Sequence, residues 1–189
     1  MKKLLVGFLC TMCVLFLFST NASALSITPD DAILWGNDTS QNDIDEAIAT
    51  TIGTAEELYK NEVDGGQEYG SLMDSYETTY FNDPNDPEGA LIEYVGGPFI
   101  DPNSPSFLLV KDGNQTPAWY LFDLYALLWN GTDDLELDEF WPDQGAISHV
   151  SLYGGEGEGT PPVPEPATML LLGSGLVGLA GFGRKKFKK

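Results

Sequence analysis

The chain has 189 residues, with 29 acidic side chains against 9 basic ones and a net charge of −20 at neutral pH. That imbalance argues against nucleic acid and other polyanions as partners, because a surface repels polymers of its own sign. Both cysteines, Cys10 and Cys13, lie in an N-terminal apolar run, so the rest of the chain offers neither a disulfide framework nor a thiolate site.

Met1-Lys2-Lys3 is a positive n-region, Leu4 to Phe18 an apolar h-region, and Ser19 to Ala24 a polar c-region. It ends in Ala22-Ser23-Ala24, the small-x-small pattern that signal peptidase accepts. Residues 1–24 are therefore expected to be a signal peptide cut after Ala24, with Ala22 and Ala24 as the recognised residues. Between Leu25 and Val163 lie 28 of the acids against only Lys60 and Lys111, a net of −26. All four tryptophans and all eight tyrosines fall in the same stretch, too many rings for a solvated acidic tail. Residues 25–153 are read as one acidic secreted domain.

Within that domain, Ser40 to Gly53 predicts a helix. Ser40 stands at the N-cap, Asp43, Asp45 and Glu46 lie near the positive end, Ile44, Ile48 and Ile52 share one face, and Gly53 is the stop. Thr54 with Glu57 makes a capping box for a second short helix, Ala55 to Val63. From there the pattern turns to strands: SYETTYFN, ALIEYVGG, SFLLV, AWYLFDL, DLELDEF and AISHVSLYG, with an Asp112-Gly113 hairpin signal between the third and fourth. WYLFDLYALLW also suits a helix face, and we read it as strand then turn. The expected fold class is mainly β, an antiparallel β-sandwich with short N-terminal helices, plus a single C-terminal transmembrane helix.

Residues 154–163 form a Gly/Pro linker, flexible and then extended. Beyond it, Ala167 to Phe182 is uncharged and apolar or glycine except for Thr168 and Ser174. This is the expected transmembrane helix, short against the roughly 20 residues a span needs. Arg184, Lys185, Lys186, Lys188 and Lys189 follow as a basic stop-transfer tail. Pro164-Glu165-Pro166, the apolar segment and the terminal basic cluster together resemble the PEP-CTERM sorting signal of exported bacterial proteins, over about the last 27 residues. FWPDQGAISHVSLYG, Phe140 to Gly154, is similar to the segment that precedes this signal in many short members. The resemblance implies handling by exosortase, a membrane-embedded cysteine peptidase or transpeptidase that recognises the Pro-Glu-Pro region and removes helix and tail. It also implies an association with exopolysaccharide and biofilm matrix. Residues 164–189 would be the sorting signal. The expected partners are signal peptidase, exosortase, the membrane through the C-terminal helix before processing, and exopolysaccharide. The expected localisation is a single-pass membrane precursor, then the cell surface or extracellular matrix.

The residues that carry chemistry elsewhere are thinly signposted. His149, the only histidine, sits mid-strand with no triad motif beside it, the pattern of a packed residue. Glu136, Asp138 and Asp123 lie beside aromatic residues and are the first suspects for a glycosidase carboxylate pair. Calcium, the one cofactor the composition suggests, would take its oxygens from Asp83, Asn85, Asp86 and Glu88, or from Asn130, Asp133 and Asp134. Trp119 and Trp129 are expected in the core; Trp35 and Trp141, beside Gly36 and Pro142, are expected to be exposed and able to stack on sugar. Three readings stay open: a non-enzymatic structural or polysaccharide-associated protein, placed first; a secreted glycan-active hydrolase; and a calcium-stabilised binding module.

Overall fold

Alternating apolar residues along short segments build two sheets in the computed structural model, which describes residues 24–53, 56–63, 68–81, 87–112, 115–142 and 147–157, all within the compact unit Ser23–Pro162. The strands are β1 (Leu25–Ile27), β2 (Leu34–Gly36), β3 (Glu56–Glu62), β4 (Tyr76–Phe81), β5 (Gly89–Tyr94), β6 (Phe107–Lys111), β7 (Trp119–Asp123), β8 (Leu135–Leu137) and β9 (His149–Gly154). One sheet has four strands in the order β1-β8-β5-β4, the other five in the order β2-β7-β6-β9-β3. Ile27, Leu135, Leu137, Ala90, Ile92 and Tyr76 of the first sheet share one buried cluster with Leu108, Val110, Phe122, Val150 and Leu152 of the second. The core is thus the space between the sheets, filled by alternate residues of the strands that face each other across it.

The predicted helix forms as α1 (Gln41–Ile52), with Ser40 at its N-cap. Gly53, at φ 82°, ends it in a backbone conformation that favours glycine, and its N–H returns to Ala49 O at 3.0 Å. Ile44 and Ile48 bury against Leu109, Leu121, Trp119 and Tyr153 on the outer face of the five-stranded sheet. That sheet is therefore covered on both sides, and β6 and β9 are almost wholly buried. Past β9 the chain stays tied down: Ile100 bridges to Glu156, Asp101 N donates to Gly155 O at 2.9 Å, and Gly157 N donates to Phe99 O at 2.7 Å.

Several expectations are corrected. The second helix, Ala55 to Val63, is instead strand β3, antiparallel to β9 with a register shift between Glu57 and Tyr59. Pairing with β9 places Leu58 and Tyr59 in the core, a gain that outweighs the local capping signal. Apart from α1, the helical structure among the described N-terminal residues is one 3-10 turn at Pro29–Asp31, between β1 and β2. The fold is not purely antiparallel either, because β1 runs parallel to β8 (Leu25 opposite Leu135), although β8 is antiparallel to β5. Finally, no helix among the described residues is long and apolar enough to cross a membrane. The transmembrane helix expected at Ala167 to Phe182 falls on residues outside the described ones. The single-pass membrane precursor and the membrane as a partner through that helix are withdrawn with it. What stands among the described residues is a mostly β, two-sheet fold with one short α-helix.

Candidate functional site

Two places gather the side chains with the most chemical character. The first is a row across the outer face of the five-stranded sheet. Strand register sets Gly36, Trp119, Lys111, His149 and Glu62 side by side on β2, β7, β6, β9 and β3. Gly36 is required there, since a Cβ would collide with the Trp119 indole lying against it. In the next row Ser151 stands opposite Lys60, whose ammonium pairs with Glu62 at 2.8 Å. Lys111 Nζ donates to Thr39 O at 3.4 Å, at the approach to α1. The two cations of the body thus flank its one histidine. His149 is 6% exposed, and burial, reinforced by Lys60 and Lys111, pulls its pKa down to about 3. It is a neutral imidazole at neutral pH and far from the value that suits proton transfer there. His149 Nε2 and Ser151 Oγ are buried without hydrogen-bond partners. Among the described residues no partner is hydrogen-bonded to that ring nitrogen, and His149 is a packed strand residue.

Beside it, α1 and β3 enclose a cleft of about 260 Å³ lined by Asp45, Ile48, Ala49, Gly53, Glu57 and Tyr153. The Tyr153 hydroxyl donates to Glu57 Oε1 at 3.3 Å, and burial holds its pKa well above the usual phenol range. The cleft is thus lined by two carboxylates, Asp45 and Glu57, and one phenol.

The second place is the free edge at β2. Trp35 is 58% exposed there, and register puts it opposite Tyr120 of β7, which is half-buried. The Tyr120 ring lies 5.4 Å from that of Trp141 and 5.8 Å from that of Phe140, so the exposed edge continues into an aromatic cluster. Burial and the charge of Asp30, in the 3-10 turn just before β2, raise the Tyr120 phenol pKa. Asp30, Asp31 and Asp38 around this edge are all exposed. Trp119 and Trp129 are in the core as expected, and Trp35 is exposed as expected. Trp141 is not: it is only 9% exposed, with Nε1 donating to Pro117 O at 2.8 Å. Left-handed backbone at Glu139 (φ 61°) and at Trp141 itself (φ 48°) turns the chain after β8, and Phe140 and Trp141 pack against Tyr120. The neighbouring Pro142, taken as a sign of exposure, instead follows this turn.

The suspected carboxylates divide between the two sheets, Asp123 in one and Glu136 with Asp138 in the other. Asp123 ends β7 in the five-stranded sheet, where Oδ1 accepts from Ala126 N at 2.9 Å and stabilises the following turn. Glu136 points outward from β8 in the other sheet, and Asp138 just beyond it accepts from Glu139 N at 2.9 Å. Of the first calcium set, Asp83, Asn85 and Asp86 lie outside the described residues; Glu88 is half-buried, and its backbone carbonyl accepts from Phe140 N at 3.0 Å. In the second, Asn130 Oδ1 is turned onto its own loop, accepting from Thr132 N at 2.9 Å and Asp133 N at 2.7 Å, an Asx-type turn. Among the described residues, no group of three or more His, Cys, Asp or Glu side chains is placed to hold a metal. Ala24 immediately precedes β1; Ala22 lies outside the described residues.

Comparison with protein families matches residues 162–185 to the PEP-CTERM protein-sorting motif. The chain therefore carries a PEP-CTERM sorting motif near its C-terminus, of the kind borne by surface and secreted proteins processed by exosortase. The match contains Pro164, Glu165, Pro166, Arg184 and Lys185, while Lys186, Lys188 and Lys189 fall beyond it; all of these lie outside the described residues. Neither the curated proteins nor the solved structures include a match to the chain.

Proposed function

We propose that this is an exported cell-surface or matrix protein, handed to exosortase through its Pro164-Glu165-Pro166 region, whose two-sheet body is non-enzymatic and associates with polysaccharide. The observation that carries the reading is the sorting-motif match at residues 162–185, which begins five residues after the last described residue, Gly157. The body supports it in two ways. Its histidine is buried and held neutral, and of its suspected carboxylates Asp123 ends β7 of one sheet while Glu136 and Asp138 lie in and just beyond β8 of the other. Its one exposed tryptophan stands at a sheet edge, where a sugar chain can lie along it.

The test is the intact mass and terminal sequence of the protein recovered from the surface and supernatant of its host. The reading requires a species shortened at the Pro-Glu-Pro region. A surface species that keeps Arg184 to Lys189 would sink it. Release of reducing ends from a glycan panel by the purified protein would overturn the non-enzymatic part.

A further inference from the structure

We propose that the β2 edge is a binding platform for a glycan carrying protonated amines, with Trp35 as the stacking surface and Asp30 as the nearest counter-charge. The inference rests on the polysaccharide-associated reading above and names the ligand class and the site.

Three observations converge. Trp35 presents an open ring on an edge strand of only three residues, whereas the other three tryptophans are buried. Its cross-strand neighbour Tyr120 adds a second ring, since directly opposed residues on one face approach within about 5 Å at Cβ. Tyr120 is in turn backed by Phe140 and Trp141, which fix its position. The flat side of a sugar ring is apolar enough to lie on such a surface, and the two rings side by side suit a linear chain better than a single residue. Charge then selects the chain. Asp30 is close enough to Tyr120 to raise its phenol pKa, Asp31 and Asp38 are exposed on either side of β2 in sequence, and the body has 28 acids against two lysines. Lys60 sits on β3, and Lys111 of β6, although it reaches Thr39 O just past β2, stands on the outer face with Trp119, the opposite face from the one Trp35 shares with Tyr120. A uronate or sulfated polymer is repelled here. A neutral polymer gains only the stacking. A protonated amine gains both the attraction of the carboxylates and a cation–π contact with an indole face.

The experiment measures binding of the protein recovered from its host, by calorimetry and tryptophan fluorescence, to three probes at low ionic strength: a free-amine glucosamine oligomer, its N-acetylated counterpart and a uronic-acid oligomer. The expected result is binding to the free amine, weakening with added salt. Trp35→Ala should weaken it about fivefold or more, and Trp35→Phe should restore part of the loss. Asp30→Asn should weaken it less. Trp35 is exposed, so these variants keep the core intact. Free-amine binding that Trp35→Ala leaves unchanged would mean diffuse attraction to the acidic body, and the platform would be wrong. Binding of the acetylated oligomer as tightly as the free amine would overturn the charge selection while leaving the polysaccharide-associated reading in place. Failure of all three probes to bind would count against both.

Discussion

The two sheets meet across one core but face the outside differently. The five-stranded sheet is covered on its outer face by α1, whose Ile44 and Ile48 bury against Leu109 and Leu121. The four-stranded sheet has no such cover among the described residues; Ser26, Glu77, Thr79 and Glu136 stand exposed on its outer face. The difference is visible in the strands themselves. β8 reads Leu-Glu-Leu, buried, exposed, buried, whereas β9 is buried from His149 to Tyr153. A sheet covered twice must find a place for any polar residue its strands carry, and here that cost falls on His149 and Ser151. A sheet covered once can spend its outer face on acids at no such cost.

Substitutions should separate the two sheets in order of burial. Phe122, fully buried between the sheets and 5.9 Å from the Phe140 ring, should cost about 3–5 kcal/mol as Phe122→Ala in denaturant unfolding. Ile44→Ala removes the helix anchor from the outer face and should cost about 2–4 kcal/mol. Acid should act through the doubly covered sheet. The folded protein holds the His149 imidazole neutral with a pKa of about 3, whereas the unfolded chain protonates it near 6.5. Its contribution is complete above pH 6.5 and is lost as pH falls toward 3, reaching about 2–3 kcal/mol by pH 4.5. Carboxylate titration acts in the same range, so the measurement is the difference in pH slope between the native protein and His149→Phe; equal slopes would contradict the account. On the singly covered sheet, Glu136→Gln should change stability by less than about 0.5 kcal/mol, and a larger loss would mean that face is not open.

What could be read in advance follows from how local each signal is. α1 was legible because its isoleucines, N-cap and glycine stop lie within one contiguous stretch. β4 to β7 and β9 carry five or six residues each, and β8, though only three, stands inside the alternating stretch DLELDEF, so all of these show their pattern. β1 and β2, three residues apiece, do not, and the parallel pairing of β1 with β8 joins residues 110 positions apart in the chain. β3 was misread because Thr54 and Glu57 supply a helix start locally, whereas the unsatisfied edge of β9 that claims the segment is remote in sequence. The same rule divides the functional residues. The sorting motif is contiguous and was legible. The β2 edge was half legible: Trp35 was picked out as exposed, but Tyr120 and Asp30 join it only through strand register and the fold, and Trp141 was misplaced.

The position of β9 has a mechanical consequence. It is an interior strand, with β6 on one side and β3 on the other, and the residues after it are clipped to Phe99, Ile100 and Asp101. A load applied along the chain from its C-terminal side would first have to release those clips. It would then meet two antiparallel ladders at once, drawn lengthwise, where the bonds resist together. An edge strand such as β4 could instead be peeled one bond at a time. A pull from the C-terminal side therefore loads an interior strand in shear and not an edge strand in peeling.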